Sequence, residues 1–185
     1  MVPLSSLWLP ILLSAVAVFF VSSAIHMVSP WHKSDYPKLA NEDALADAVR
    51  PLALPPGDYL VPRPGVAADR KTPELQEKVN RGPNLILTVI KNGPRSMLKP
   101  LAGWFIYILV VTILATYIGS CLSATGDRHT AIHGVGIVAF IGYALALWQM
   151  SVWYHRKVST TMKATVDGFI YAVLTFFIFA AVWPK

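Results

Sequence analysis

The sequence predicts an all-α membrane protein: four transmembrane helices, with a small mixed α/β cytoplasmic insert between helices 1 and 2. Three observations carry this expectation. Of 185 residues, 55% are hydrophobic and only 14% charged, and the mean hydropathy is +0.51, well away from an ordinary soluble domain. Four apolar runs stand out, about Leu7–Val28, 101–124, 131–154 and 166–183, each near the roughly 18–20 residues a helix needs to cross a bilayer core. Prolines and charges are concentrated between the first two runs. The expected organisation is therefore a first span within residues 1–28, an insert over 29–100 and a three-helix unit over 101–184.

The orientation follows from Lys and Arg near the span ends. Lys33, Lys38, Lys91, Arg95, Lys99, Arg156, Lys157 and Lys163 fall in segments that a four-pass chain brings to one side, against Arg128 and Lys185 on the other. The insert is thus expected in the cytoplasm and both termini outside. A signal peptide ending at Ser22-Ser23-Ala24 is the rival reading. It lacks a basic n-region, and cleavage would put Arg156, Lys157 and Lys163 on the outer face.

Within the insert, Asn41 to Arg50 reads as a short helix with an Asn cap and acids in its first turn. Residues 51–64 hold Pro51, Pro55, Pro56, Pro62 and Pro64, which forbids helix and favours polyproline or edge-strand backbone. "KTPELQEKVNRGP" reads as a second helix with Thr72 as cap, Pro73 in the first turn and Gly82 as stop. "NLILTVIKNG" reads as a strand. Apolar content is thin for a unit of this size, so the insert is expected to lean on the membrane or on a partner.

Charge and cysteine usage exclude several classes. The net charge of +6 sits in interhelical segments rather than along one face, which argues against nucleic acid. The single cysteine, Cys121, excludes an intrachain disulfide framework and a multi-cysteine zinc site. "HGVGIVA" from His133 resembles a dinucleotide fingerprint only loosely, and it opens a span where no strand precedes it. Its glycines belong with Ala115/Gly119, Gly142/Ala146 and Gly168/Ala172, pairs spaced for close helix contact. No nucleophile elbow, HExxH, Walker A or kinase signature occurs, so a non-catalytic role is expected.

Polar residues at span ends supply the candidate sites. Asp167 lies at the start of the fourth run, four residues after Lys163, and is expected to pair with Lys163 or Arg156 at headgroup level. Gln149 lies deeper and should find a partner helix. His26, His32 and His155 sit near the inner ends of spans, and His26 with His155 could supply two axial imidazoles to a haem. On the other side Asp127, His129 and His133 form a second cluster, with the histidines spaced i, i+4 as two metal ligands on one helix would be. Six tryptophans and several tyrosines near span ends read as aromatic belts. No particular cofactor is implied by these residues.

The runs "NRGPNLILTVIKNGPRSM", "WFIYILVV", "WYHRK" and "DGFIYAVLTFFIFAAVWPK", with the opening "SSAIHMVSPWHKSDYPKL", resemble uncharacterised bacterial four-pass integral membrane proteins over most of the chain. That resemblance implies a bacterial inner (cytoplasmic) membrane and brings no activity with it. The leading expectation is an accessory subunit or scaffold of a membrane complex, its insert docking a protein partner or a second copy. The alternatives are a haem- or metal-binding redox protein using the span-end histidines, and a small transporter working around Asp167 and Gln149.

Overall fold

The computed structural model describes residues 2–184. In chain order the helices are α1 (Trp8–Ser23), α2 (Glu42–Val49), α3 (Pro73–Arg81), α4 (Leu98–Leu122), α5 (Arg128–Tyr143), α6 (Trp148–Tyr154) and α7 (Val158–Val182); the strands are β1 (Gly57–Val61) and β2 (Leu85–Val89). The chain divides into two compact units, one of Met1–Pro37 with Ser96–Lys185 and one of Lys38–Arg95.

The first unit is a helical bundle. Four stretches are long and apolar enough to cross a membrane: Leu4–Val28, Leu98–Leu122, Arg128–Tyr154 and Val158–Val182. Helix α1 packs on α4 and α7, and α5 packs on the same two, so the four spans close into a ring. Small residues line the interior. Ala15, Ala115, Ala131 and Ala139 are wholly buried, and a Cβ on Gly119 would lie 2.5 Å from the Val135 side chain. Close backbone approach of this kind holds spans together where burial of apolar surface gives no advantage over lipid. Outward, Phe20, Ile106, Leu114, Ile137 and Phe177 are exposed, as a lipid-facing surface requires. The hydroxyls of Thr112, Thr116, Thr165 and Thr175 each donate to the carbonyl four residues earlier, which satisfies them without a partner helix.

Two departures from the hydropathy reading shape the rest. Helix α7 begins at Val158 rather than at residue 166, because Ser159, Thr160, Thr161 and Lys163 extend it outside the apolar run. Asp167 consequently lies in the third turn of a long helix rather than at its mouth. The third span is also broken. Helix α5 stops at Tyr143, Ala144 leaves helical geometry at φ −121°, a 3₁₀ turn covers Leu145–Leu147, and α6 resumes at Trp148. One carbonyl at the break, that of Gly142, accepts from the Tyr107 hydroxyl at 2.5 Å. Irregular backbone inside a membrane is tolerated where protein groups or a cavity satisfy it.

The second unit has the expected helices. Asn41 Oδ1 accepts from the Ala44 amide at 2.9 Å, and the Thr72 hydroxyl accepts from Leu75 with Pro73 next to it. Gly82, at φ +59°, ends α3 in a conformation that costs glycine little. The proline-rich stretch contributes β1, which pairs antiparallel with β2 in the register Gly57↔Val89, Tyr59↔Leu87 and Val61↔Leu85. Thr88 adds a cross-strand hydrogen bond to Asp58 at 2.7 Å. No described residue of Lys38–Arg95 is buried.

Packing at the break makes one position intolerant of volume. A Cβ on Gly168 would sit 2.9 Å from Ala144 Cβ and 3.2 Å from the Tyr143 backbone. Gly168→Ala should cost about 1–3 kcal/mol of stability through overpacking. Thermal unfolding in detergent checks this, and an unchanged midpoint would show that α5 and α7 do not meet here.

Candidate functional site

The chain leaves α1 through a π-helical turn over Ala24–Val28, the wide-turn geometry often found at functional sites. This turn carries His26. Ser29 then starts a 3₁₀ turn, Pro30–His32, its side chain accepting from the Trp31 amide at 3.1 Å. Capping and the proline hold the turn rigid, and His32 is presented to α7. There His32 Nε2 lies 2.8 Å from Asp167 Oδ2, while Nδ1 lies 2.7 Å from Asp35 Oδ2. Lys163, one turn before Asp167, donates to Asp35 Oδ1 at 3.0 Å, to the Trp31 carbonyl at 2.6 Å and to the Ser34 hydroxyl at 2.9 Å.

A chain of charge-bearing groups results: Asp167, His32, Asp35, Lys163. The two carboxylate side chains are 4% and 7% exposed and the imidazole 16%, so water screens this chain poorly. Both imidazole nitrogens face carboxylates. Each contact is a hydrogen bond only if a proton lies between its two atoms, so His32 is an imidazolium or one of its carboxyl partners is an acid. Burial alone would push the Asp35 carboxyl up; hydrogen bonds from His32 and Lys163, with their positive charge, hold it below the usual carboxylate value.

On the other side Asp167 borders a cavity of about 650 Å³ lined also by His26, Arg156, Trp104, Tyr107, Tyr143 and Tyr171, with apolar wall from Met27, Met97, Leu101 and Leu147. Three polar atoms of these residues are buried without a hydrogen-bond partner among the described residues: Asp167 Oδ1 and the hydroxyls of Tyr143 and Tyr171. Such groups are costly in a low-dielectric interior. The aromatic rings hold one another in place, Trp104 stacked on Tyr107 at 5.4 Å and Tyr143 edge-on to Tyr171 at 5.6 Å. Trp104 Nε1 donates to Ser22 on α1 at 2.8 Å.

The other sequence candidates fall elsewhere. Asp167 does not pair with Lys163 or Arg156: Lys163 is committed to Asp35, and Asp167 faces the turn after α1 because α7 begins early. His155 is exposed and caps α6 in a left-handed conformation, φ +54°, and the His26 ring stacks on His32. Gln149 is exposed on α6. Asp127 caps α5 by accepting from the Thr130 amide at 2.8 Å, and this bond lowers its carboxyl below the usual value. Next to it His133 bonds the His129 carbonyl at 2.9 Å, its ring 4.0 Å from that of His129.

A metal fits the inner group only after rearrangement. Donor atoms of His26, His32 and Asp167 lie within 4.8 Å of one another. However, the two imidazoles stack at 4.3 Å with 21° between planes, and a ring nitrogen's lone pair lies in its ring plane. Near-parallel stacked rings do not aim at one ion. Asp35 and the tyrosine cluster are the members that sequence reasoning missed. The His32-x-x-Asp35 spacing beside a span and Tyr171 at i+4 from Asp167 were the available signals.

No family model, curated protein or solved structure matches the chain.

The pH dependence has a defined sign. Asp35 is depressed in the folded state, so its contribution to stability is present above the unfolded value near about 3.9 and is lost as pH falls through the lower folded value. Melting temperatures of wild type and Asp35→Asn should differ most near neutral pH and converge below about pH 4. A difference that persists unchanged into acid would exclude the His32–Asp35–Lys163 contacts as its source.

Proposed function

We propose that the protein is a proton-linked carrier of a small solute, in which Asp167 alternates between holding a proton with His32 and holding the solute in the cavity. One observation carries this reading: a buried carboxylate on the cavity wall, with one oxygen on an imidazole and the other without a partner among the described residues. Intramembrane ionisable residues are costly and characteristic of ion and substrate pathways. His32 extends the path to Asp35, giving the proton a route away from the cavity, and Lys163 holds that carboxylate in place by donating to its other oxygen. The broken third span, with Tyr143 and Leu147 on the cavity wall, supports the same reading, since interrupted helices recur at transport sites.

In this reading the protein lies in a bacterial inner membrane with both termini outside and residues 29–100 in the cytoplasm. Support comes from the basic residues at the span ends. The proton relay then sits at the cytoplasmic end of the cavity.

The accessory-subunit role stands as a second reading, favoured by the unit Lys38–Arg95. It has no buried residue among those described, yet exposes Leu45, Leu52, Leu60 and Ile86. Purification from the native membrane in mild detergent tests it: a stoichiometric partner lost on deleting residues 38–95 is expected, and a protein that comes out alone removes this role.

For the carrier, liposomes containing the protein and an internal pH-sensitive dye should be challenged with a panel of cationic, anionic, zwitterionic and neutral solutes. At least one solute should drive a pH change that Asp167→Asn abolishes and His32→Gln slows at least tenfold. Silence across the panel, or identical signals from wild type and Asp167→Asn, would overturn the proposal.

A further inference from the structure

From the unmet groups on the cavity wall we infer that the ligand is a zwitterion with an apolar body, its ammonium on Asp167 and its anionic group on Arg156. This inference rests on the carrier reading of the same site and supplies its substrate class.

Asp167 Oδ1 is an acceptor without a donor, and the Tyr143 and Tyr171 hydroxyls also lack partners. An ammonium answers these together, because it has up to three N–H donors to share between a carboxylate and hydroxyl oxygens. The walls suit a cation as well: Trp104, Tyr107, Tyr143 and Tyr171 form one connected cluster, and ring faces attract positive charge. A bare cation nevertheless leaves Arg156 unanswered. Arg156 lines the same cavity and makes no ion pair among the described residues. Its planar guanidinium matches a carboxylate or phosphate in bidentate fashion. Opposite charges around one cavity thus select a ligand that carries both.

Charge balance agrees with proton exchange. The charged and titratable groups around Asp167 are His26, His32 and Asp35 from the first unit's turns, Tyr107 from α4, Tyr143 from α5, Arg156 from the α6–α7 turn, and Lys163 and Tyr171 on its own helix. When an ammonium reaches Asp167 it adds a positive charge there, and the His32 imidazolium gives up its other proton: the Nδ1–H bond breaks, an O–H bond forms on Asp35 Oδ2, and the neutral ring still donates from Nε2 to Asp167. A volume of about 650 Å³ lies within the range of small-ligand sites, and Met27, Met97, Leu101 and Leu147 receive the apolar part.

Two sources offer this chemistry: a free amphipathic amino acid, or the ethanolamine headgroup of a lipid. Calorimetry on the protein in phosphatidylglycerol nanodiscs distinguishes them. Phenylalanine is the free probe, and dilauroyl phosphatidylethanolamine, mixed into the nanodisc, is the lipid probe. Phenethylamine and phenylpropionate carry one charge each. The zwitterion should bind at least tenfold more tightly than either single-charge analogue. Asp167→Asn should weaken zwitterion and amine alike, whereas Arg156→Gln should weaken the zwitterion and leave the amine unchanged. Tyr171→Phe, which keeps the ring, should weaken binding two- to fivefold and guards against misfolding of the charge variants.

Phenylalanine binding that phosphatidylethanolamine does not displace identifies the free source; competition by the lipid identifies the headgroup. Both support the inference. Absence of binding by either probe, or equal binding of amine and zwitterion, overturns it, even where another solute drives an Asp167-dependent pH change in liposomes and the carrier reading stands. Zwitterion binding with the expected variant pattern, but no solute-driven pH change, sinks the carrier and keeps the ligand class.

Discussion

The hydrogen bond between His32 and Asp167 is the constraint around which the helical unit is organised. A carboxylate in the third turn of a membrane-crossing helix is stable only with a partner, and the partner comes from a turn 135 residues away in sequence. That turn has to be rigid, which Ser29 and Pro30 provide, and it has to reach α7, which the π-helical end of the first span allows. Lys163 then binds the turn's backbone and Asp35, so α7 grips the turn at two successive positions. With α1 and α7 fixed at this end, the small residues along α4, α5 and α7 can close the ring behind them.

The broken third span is the complement of that grip. A continuous helix through residues 128–154 would fill the space beside Trp104 and Tyr171 with side chains at regular spacing. By stopping at Tyr143 the chain leaves room for the cavity, and Gly168 lets α7 come within contact of the break. The unmet hydroxyls of Tyr143 and Tyr171 are a product of the same geometry: their rings are packed against neighbours, and their hydroxyls are buried without a hydrogen-bond partner among the described residues.

Much of the architecture was legible in the sequence, and the reasons are physical. Long apolar runs have no other stable arrangement, so four spans followed from composition alone; the caps Asn41 and Thr72 and the stop Gly82 marked the short helices because the backbone needs those residues there. Helix limits were less legible at α7, since Thr160, Thr161 and Lys163 are compatible with helix and with loop alike. Register between distant elements was not legible at all. Lys163, four residues before Asp167, looked like its natural partner, but Asp35 offers Lys163 a carboxylate with two further acceptors beside it. Sequence spacing reports neighbours on one helix and is silent about a turn arriving from another. The aromatic cluster was hidden for a related reason: Trp104, Tyr107 and Tyr171 satisfy the belt pattern of span ends, and only the packing of four helices turns them toward one another.

The separation of His32 from Asp167 also sets the order in which this protein is made. At about 5–20 residues per second, the ribosome delivers Asp167 roughly 7–27 s after His32, by which time the first span and its turn have had time to reach the membrane. Until then His32 lacks Asp167 and Asp35 lacks Lys163. The last span arrives carrying a lone carboxylate into the bilayer, and its integration and its pairing become one event. Closing the ring of α1, α4, α5 and α7 thus waits for α7, and a chain halted before Val158 would be threaded but unlatched.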